Sequence, residues 1–111
     1  SRLRQVLINL LVNAVKFTKE GSVVLKLEKA NDGTALFSVA DTGCGIPKEK
    51  QKLIFERFEK LNEFVQGTGL GLSICRLIVT FVGGKIWIDG DYTRGARFCF
   101  THPLKYKSTL L

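Results

Sequence analysis

Apolar residues recur at three- and four-residue steps over residues 2–17, where Leu3, Val6, Leu7, Leu10, Leu11, Ala14 and Val15 share one face, so the spacing predicts an amphipathic helix. Gly21, just past Thr18-Lys19-Glu20, supplies its stop. Residues 22–29 and 34–41 read as strands, and Asn31-Asp32-Gly33 between them is a turn signal, which together predict a hairpin. A glycine-rich loop follows at residues 42–47, then a short helix over residues 48–55 opened by Pro47. Residues 59–69 have no firm period. A second long helix runs from Leu70 to Val82, closed by Gly83-Gly84, and residues 85–89 and 96–102 alternate as strands. This order predicts one domain of the α/β (α+β) kind: a two-layer sandwich with helices on one face of a mixed, mostly antiparallel sheet.

Composition narrows the class. Apolar residues make up 45% and charged residues 24% of 111 residues, values of an ordinary globular chain. The longest apolar run, Leu70 to Val82, is interrupted by Ser73, Arg76 and Thr80 and is too short to span a bilayer. The net charge of +7 suits nucleic acid, an anionic surface or a polyphosphate, but the basic residues are scattered and no nucleic-acid reading motif accompanies them. Cys44, Cys75 and Cys99 match no metal-ligand spacing and read as free thiols of a reducing, cytoplasmic setting.

Three features can carry chemistry. Asn9, Asn13 and Lys16 fall at i, i+4 and i+7 on the first helix, although asparagine is a poor helix-interior residue. They form either a solvated polar face or a row offering a carbonyl oxygen to Mg²⁺ and an ammonium to phosphate. Asp41 shares its strand side with Phe37 and Val39, so it is either a turn-starting surface aspartate or an inward carboxylate in need of a donor. Gly43 and Gly45 after it permit a flat ligand to approach the backbone. Gly67-Thr68-Gly69-Leu70-Gly71-Leu72 precedes a helix, where bare N–H groups and the helix field favour an anion, yet it is neither a P-loop nor a dinucleotide fingerprint.

In their order and spacing, the three resemble the ATP-binding (Bergerat) fold shared by histidine kinases, gyrase-type topoisomerases, heat-shock chaperones and mismatch-repair ATPases. Residues 4–18 (RQVLINLLVNAVKFT) are similar to the N box of sensor histidine kinases, residues 41–47 (DTGCGIP) to their first glycine box, residues 54–58 (IFERF) to their F box and residues 67–72 to their second glycine box. The resemblance implies ATP and Mg²⁺ as cofactors. It implies Asn13 as the magnesium ligand, Asn9 and Lys16 at the phosphates, and Phe17 beside the nucleotide. Asp41 would accept the adenine amino hydrogen, with Gly43, Gly45 and Ile46 shaping the purine pocket. Phe55 and Phe58 would anchor a lid over residues 59–66, and Lys60 would stand where many members carry arginine. Gly67, Thr68, Gly69, Leu70, Gly71 and Leu72 would wrap the triphosphate.

The same resemblance implies γ-phosphoryl transfer to a histidine of a dimerisation and phosphoacceptor domain, with a response-regulator receiver downstream. Specific nucleic acid and direct membrane contact are not expected of residues 1–111. An amide at position 9, where the chaperone and gyrase branches place glutamate, is no general base and implies little hydrolysis. The chain opens inside an amphipathic pattern, so we expect a piece of a longer protein whose first strand and phosphoacceptor helices lie elsewhere. His102 sits in a strand and is not expected to be the acceptor. Ala96-Arg97 replaces the small hydroxyl residues common before the last strand's phenylalanine. The rival readings are a non-catalytic nucleotide-binding module, a nucleic-acid binder and a hydrolytic ATPase.

Overall fold

The computed structural model describes residues 2–30, 33–51 and 68–103. Helix α1 spans Arg2–Phe17 and buries Val6, Leu10, Asn13 and Ala14, so the apolar stripe faces inward with one asparagine in its flank. Strands β1 (Val23–Lys29) and β2 (Thr34–Asp41) form the expected hairpin. Helix α2 is a single turn, Lys48–Gln51, and the rest of its predicted span lies outside the described residues. Helix α3, Thr68–Phe81, begins two residues earlier than the sequence pattern suggested, which places Gly69 and Gly71 inside its first turn. Its last turn closes where the Gly84 N–H donates to the Val79 carbonyl at 2.9 Å. Strands β3 (Ile86–Ile88) and β4 (Arg97–Pro103) complete the chain.

The strand order is β1-β2-β4-β3, and every pairing among the described residues is antiparallel. Antiparallel register puts side chains of paired residues on the same face. Phe37 opposes Phe100 and Val39 opposes Phe98, while Ile86 and Ile88 flank the two phenylalanines from β3. Those residues meet Val6, Leu10 and Ala14 of α1 and Leu72, Cys75, Ile78 and Val79 of α3 in one cluster. Phe37 and Phe100 stack with ring centroids 4.9 Å apart and planes 5° from parallel. Both helices therefore cover one face of the sheet, and the two-layer architecture read from the sequence holds.

Burial also sets a pH response. Burial pushes the Cys75 thiol up to about 11, against an ordinary 9.0, an effect partly offset by a hydrogen bond with the Asn9 side chain. Below pH 9.0 the thiol is protonated in both folded and unfolded chains, so its contribution to stability is intact. As pH rises from 9.0 toward 11 the unfolded chain releases the proton first, and folding loses up to about 2–3 kcal/mol. Urea midpoints measured across that window are expected to fall with pH, and to fall less steeply in Cys75→Ala.

Candidate nucleotide site

The C-terminal end of α1 and the loop after β2 meet here. Asp41 ends β2 at 1% exposure, on the side that faces the helices, the inward of the two alternatives left by the sequence. A carboxylate this deeply buried needs donors. Its Oδ1 accepts the Gly43 N–H at 2.9 Å and the Ala96 N–H at 3.1 Å. One oxygen of the carboxylate is thus held by two backbone N–H groups. The Asp41 main chain is fixed as well: its N–H donates to the Ala96 carbonyl at 2.9 Å, and its carbonyl accepts the Tyr92 hydroxyl at 2.8 Å.

The clamp also gives two glycines a packing role. A Cβ at Gly43 would overlap the Phe17 carbonyl, and one at Gly95 would overlap the Asp41 carbonyl and press on its carboxylate. Gly43 and Gly95 are thus required where chain meets chain. Gly45 sits at a φ of 76° opposite Gly95, and Ile46 packs partly buried against the core. Ala96, which replaces a small hydroxyl residue, reaches the Asp41 carboxylate with its backbone N–H. No sequence signal linked Tyr92 or Ala96 to Asp41, because both reach it across more than fifty residues of chain.

On α1 the polar row divides. Asn13 is 3% exposed, and its buried Oδ1 has no hydrogen-bond partner among the described residues. A buried amide carbonyl without a donor is costly and calls for an explanation. Asn9 is half-buried against Cys75 of α3, and Lys16 is exposed. Lys16, Phe17 and Gly43 line one open groove of about 600 Å³, together with Lys19, Glu20 and Cys44, which sequence reasoning had not assigned to it. Thr68, Gly69, Leu70 and Gly71 occupy the first turn of α3. Leu72 is 1% exposed and belongs to the core, so only its backbone can face a ligand. Phe55, Phe58, Lys60, the lid over residues 59–66 and Gly67 lie outside the described residues.

The arrangement suits a magnesium ion shared with a phosphate ligand. Asn13 Oδ1 is a hard, unpaired carbonyl oxygen, while the described residues hold no group of three His, Cys, Asp or Glu side chains able to bind a metal by themselves. Magnesium commonly takes one or two protein oxygens and fills its remaining positions from phosphates and water. The residues present fit that mode.

Comparison with known proteins agrees with this geometry. Residues 1–106 match the family described as histidine kinase-, DNA gyrase B-, and HSP90-like ATPase. The adaptive-response sensory kinase SasA of Gloeothece citriformis is 43% identical over 105 residues, covering 92% of this chain and 27% of that protein. The circadian input-output histidine kinase CikA of Synechococcus elongatus is 44% identical over 107 residues, covering 92% of this chain and 14% of its own length. The chain thus spans about a quarter or less of these two relatives. Among solved structures, full-length ShkA in complex with AMPPNP superposes with a TM-score of 0.81 at 41% identity, over 92% of this chain and 21% of ShkA. The nucleotide-free catalytic domain of histidine kinase ThkA gives 0.78 at 39% identity, over 92% of this chain and 67% of that domain. The chain belongs to the histidine kinase-, DNA gyrase B- and HSP90-like ATPase family, in which it is an ATP-binding domain of the histidine-kinase type.

Proposed function

We propose that this domain binds MgATP and, within a longer protein, presents the γ-phosphoryl group to a histidine on a dimerisation and phosphoacceptor domain, from which a response-regulator receiver takes it. The observation that carries the reading is the buried Asp41 carboxylate, whose Oδ1 is held by two N–H groups; its Oδ2 would accept an exocyclic amino hydrogen of adenine. The full-length ShkA structure holds AMPPNP, an ATP analogue, and supports the choice of ligand.

Each residue then has a task. Asn13 would hold the magnesium ion through Oδ1, and Lys16 would bring a compact positive charge to a phosphate oxygen at the groove. The first turn of α3, residues 68–71, offers backbone N–H groups at a helix N-terminus, a favourable place for the triphosphate. Phe17 lines the groove as an apolar wall beside the nucleotide. Magnesium, when bound, neutralises charge on the transferring phosphoryl group. Asn9 carries an amide, which cannot deprotonate water at neutral pH, so transfer is favoured over hydrolysis. Among the described residues no helix is long and apolar enough to cross a membrane. A cytoplasmic location is proposed on a separate ground, the need for ATP and a receiver domain.

Calorimetric titration of the chain with ATP tests the reading directly. Binding in the micromolar to millimolar range is expected with Mg²⁺ and weaker binding with a chelator. In Asn13→Ala the difference between the two conditions is expected to shrink to within about twofold, since the protein oxygen of the ion is gone. A folded chain that ignores ATP under both conditions overturns the proposal.

A further inference from the structure

Asp41 and Ala96 stand opposite each other, one step past the Ala40–Arg97 pair of the β2–β4 ladder. Residues so placed in an antiparallel ladder exchange two N–H···O bonds, one in each direction. The first of them is present: the Asp41 N–H donates to the Ala96 carbonyl at 2.9 Å. The return bond is diverted. The Ala96 N–H donates to the Asp41 carboxylate, at Oδ1, over 3.1 Å, and the Asp41 carbonyl accepts the Tyr92 hydroxyl at 2.8 Å, an ordinary O–H···O length. A buried main-chain carbonyl needs a donor, so the hydroxyl supplies what the ladder would have supplied. The Ala96 N–H is thereby left for the carboxylate.

Tyr92 is itself anchored. It lies half-buried in the connection between β3 and β4, where its N–H donates to the Asp89 carbonyl at 3.3 Å. Asp89 gathers that connection: Oδ1 accepts the Asp91 N–H at 3.0 Å, and Oδ2 pairs with the Arg97 guanidinium at 3.3 Å. We propose that Tyr92 is a positioning residue for base selectivity, whose hydroxyl occupies the Asp41 carbonyl, commits the Ala96 N–H to Oδ1 and so fixes the carboxylate that reads adenine. This rests on the reading of Asp41 as the adenine acceptor. Without the hydroxyl, the Asp41 carbonyl and Oδ1 compete for one N–H, and the carboxylate loses one of its two donors whenever the carbonyl wins. The phosphate end of the site, proposed on α1 and α3, keeps its own groups.

Calorimetric titration with MgATP and with the magnesium complex of purine riboside triphosphate, which has hydrogen in place of the 6-amino group, is the test. The wild type is expected to prefer ATP about tenfold or more, the value of a hydrogen bond to a charged group. In Y92F, which keeps the ring, that preference is expected to fall to within about threefold, while affinity for the analogue stays within about twofold of wild type. Unequal loss is the signature of positioning, since a merely structural role would weaken both ligands alike. The ligand-free chain gives a second readout. Through-hydrogen-bond couplings in NMR are expected to link the Ala96 amide nitrogen to the Asp41 side-chain carboxyl carbon in the wild type, and to its main-chain carbonyl carbon in Y92F. A wild type that prefers ATP beside a Y92F that prefers it equally overturns the proposal and leaves Asp41 as the acceptor. So does an equal loss for both ligands, or an Ala96 coupling that stays on the carboxyl carbon in Y92F. A folded wild type that binds the two ligands alike removes the reading of Asp41, and the role of Tyr92 with it.

Discussion

Asp41→Asn is expected to weaken ATP and ADP binding by roughly 10- to 150-fold, the value of a hydrogen bond to a charged group, with the fold intact. The asparagine carbonyl can replace Oδ1 as acceptor for the Gly43 and Ala96 N–H groups. Its amide nitrogen then stands where Oδ2 stood and presents a donor to the adenine amino group, also a donor. Asp41→Ala is a poorer probe, because it strands two N–H groups at a site that is 1% exposed and so costs stability as well as affinity. Calorimetry beside a melting curve separates the two effects. If the folded Asp41→Asn chain binds ATP as the wild type does, Asp41 is not the adenine acceptor.

Phe100→Ala is expected to cost about 3–5 kcal/mol, the usual range for deleting a buried aromatic ring. Phe100 is 1% exposed, stacks on Phe37 at 4.9 Å and sits between β2 and β3 in register with Phe37 and Ile86. Its ring therefore joins three strands to the helical layer. Domains of this size have total stabilities of about 5–15 kcal/mol, so the variant is expected to lose a large share of its folded population on mild heating. Urea denaturation of wild type and variant measures the loss. A change under about 1 kcal/mol would mean the site collapses around the deletion and that Phe100 is not central to the core.

Several features were legible without the fold because they rest on local periodicity. The stripe of Leu3, Val6, Leu7, Leu10 and Ala14 specified α1, the turn signal before residues 34–41 specified β2 as the second arm of a hairpin, and two-residue spacing put Asp41 on the same side as Phe37 and Val39. Spacing also identified the polar row on α1 and the glycines after β2. Helix boundaries were less legible. Residues up to 69 showed no firm period, yet Thr68 and Gly69 are helical, since the helical layer and its packing outweigh the weak propensity of glycine.

By itself, then, the sequence determined which residues face inward and which motifs stand at the ends of β2 and α3, because a period of two or 3.6 residues is a property of the local chain. The tertiary structure decided the rest. It separated Asn13, buried with an unpaired carbonyl, from Asn9 beside Cys75 and Lys16 in the open groove, since burial depends on what packs against each flank of α1. It brought Tyr92, Gly95 and Ala96 to Asp41, contacts set by the β2–β4 pairing and invisible to any local period.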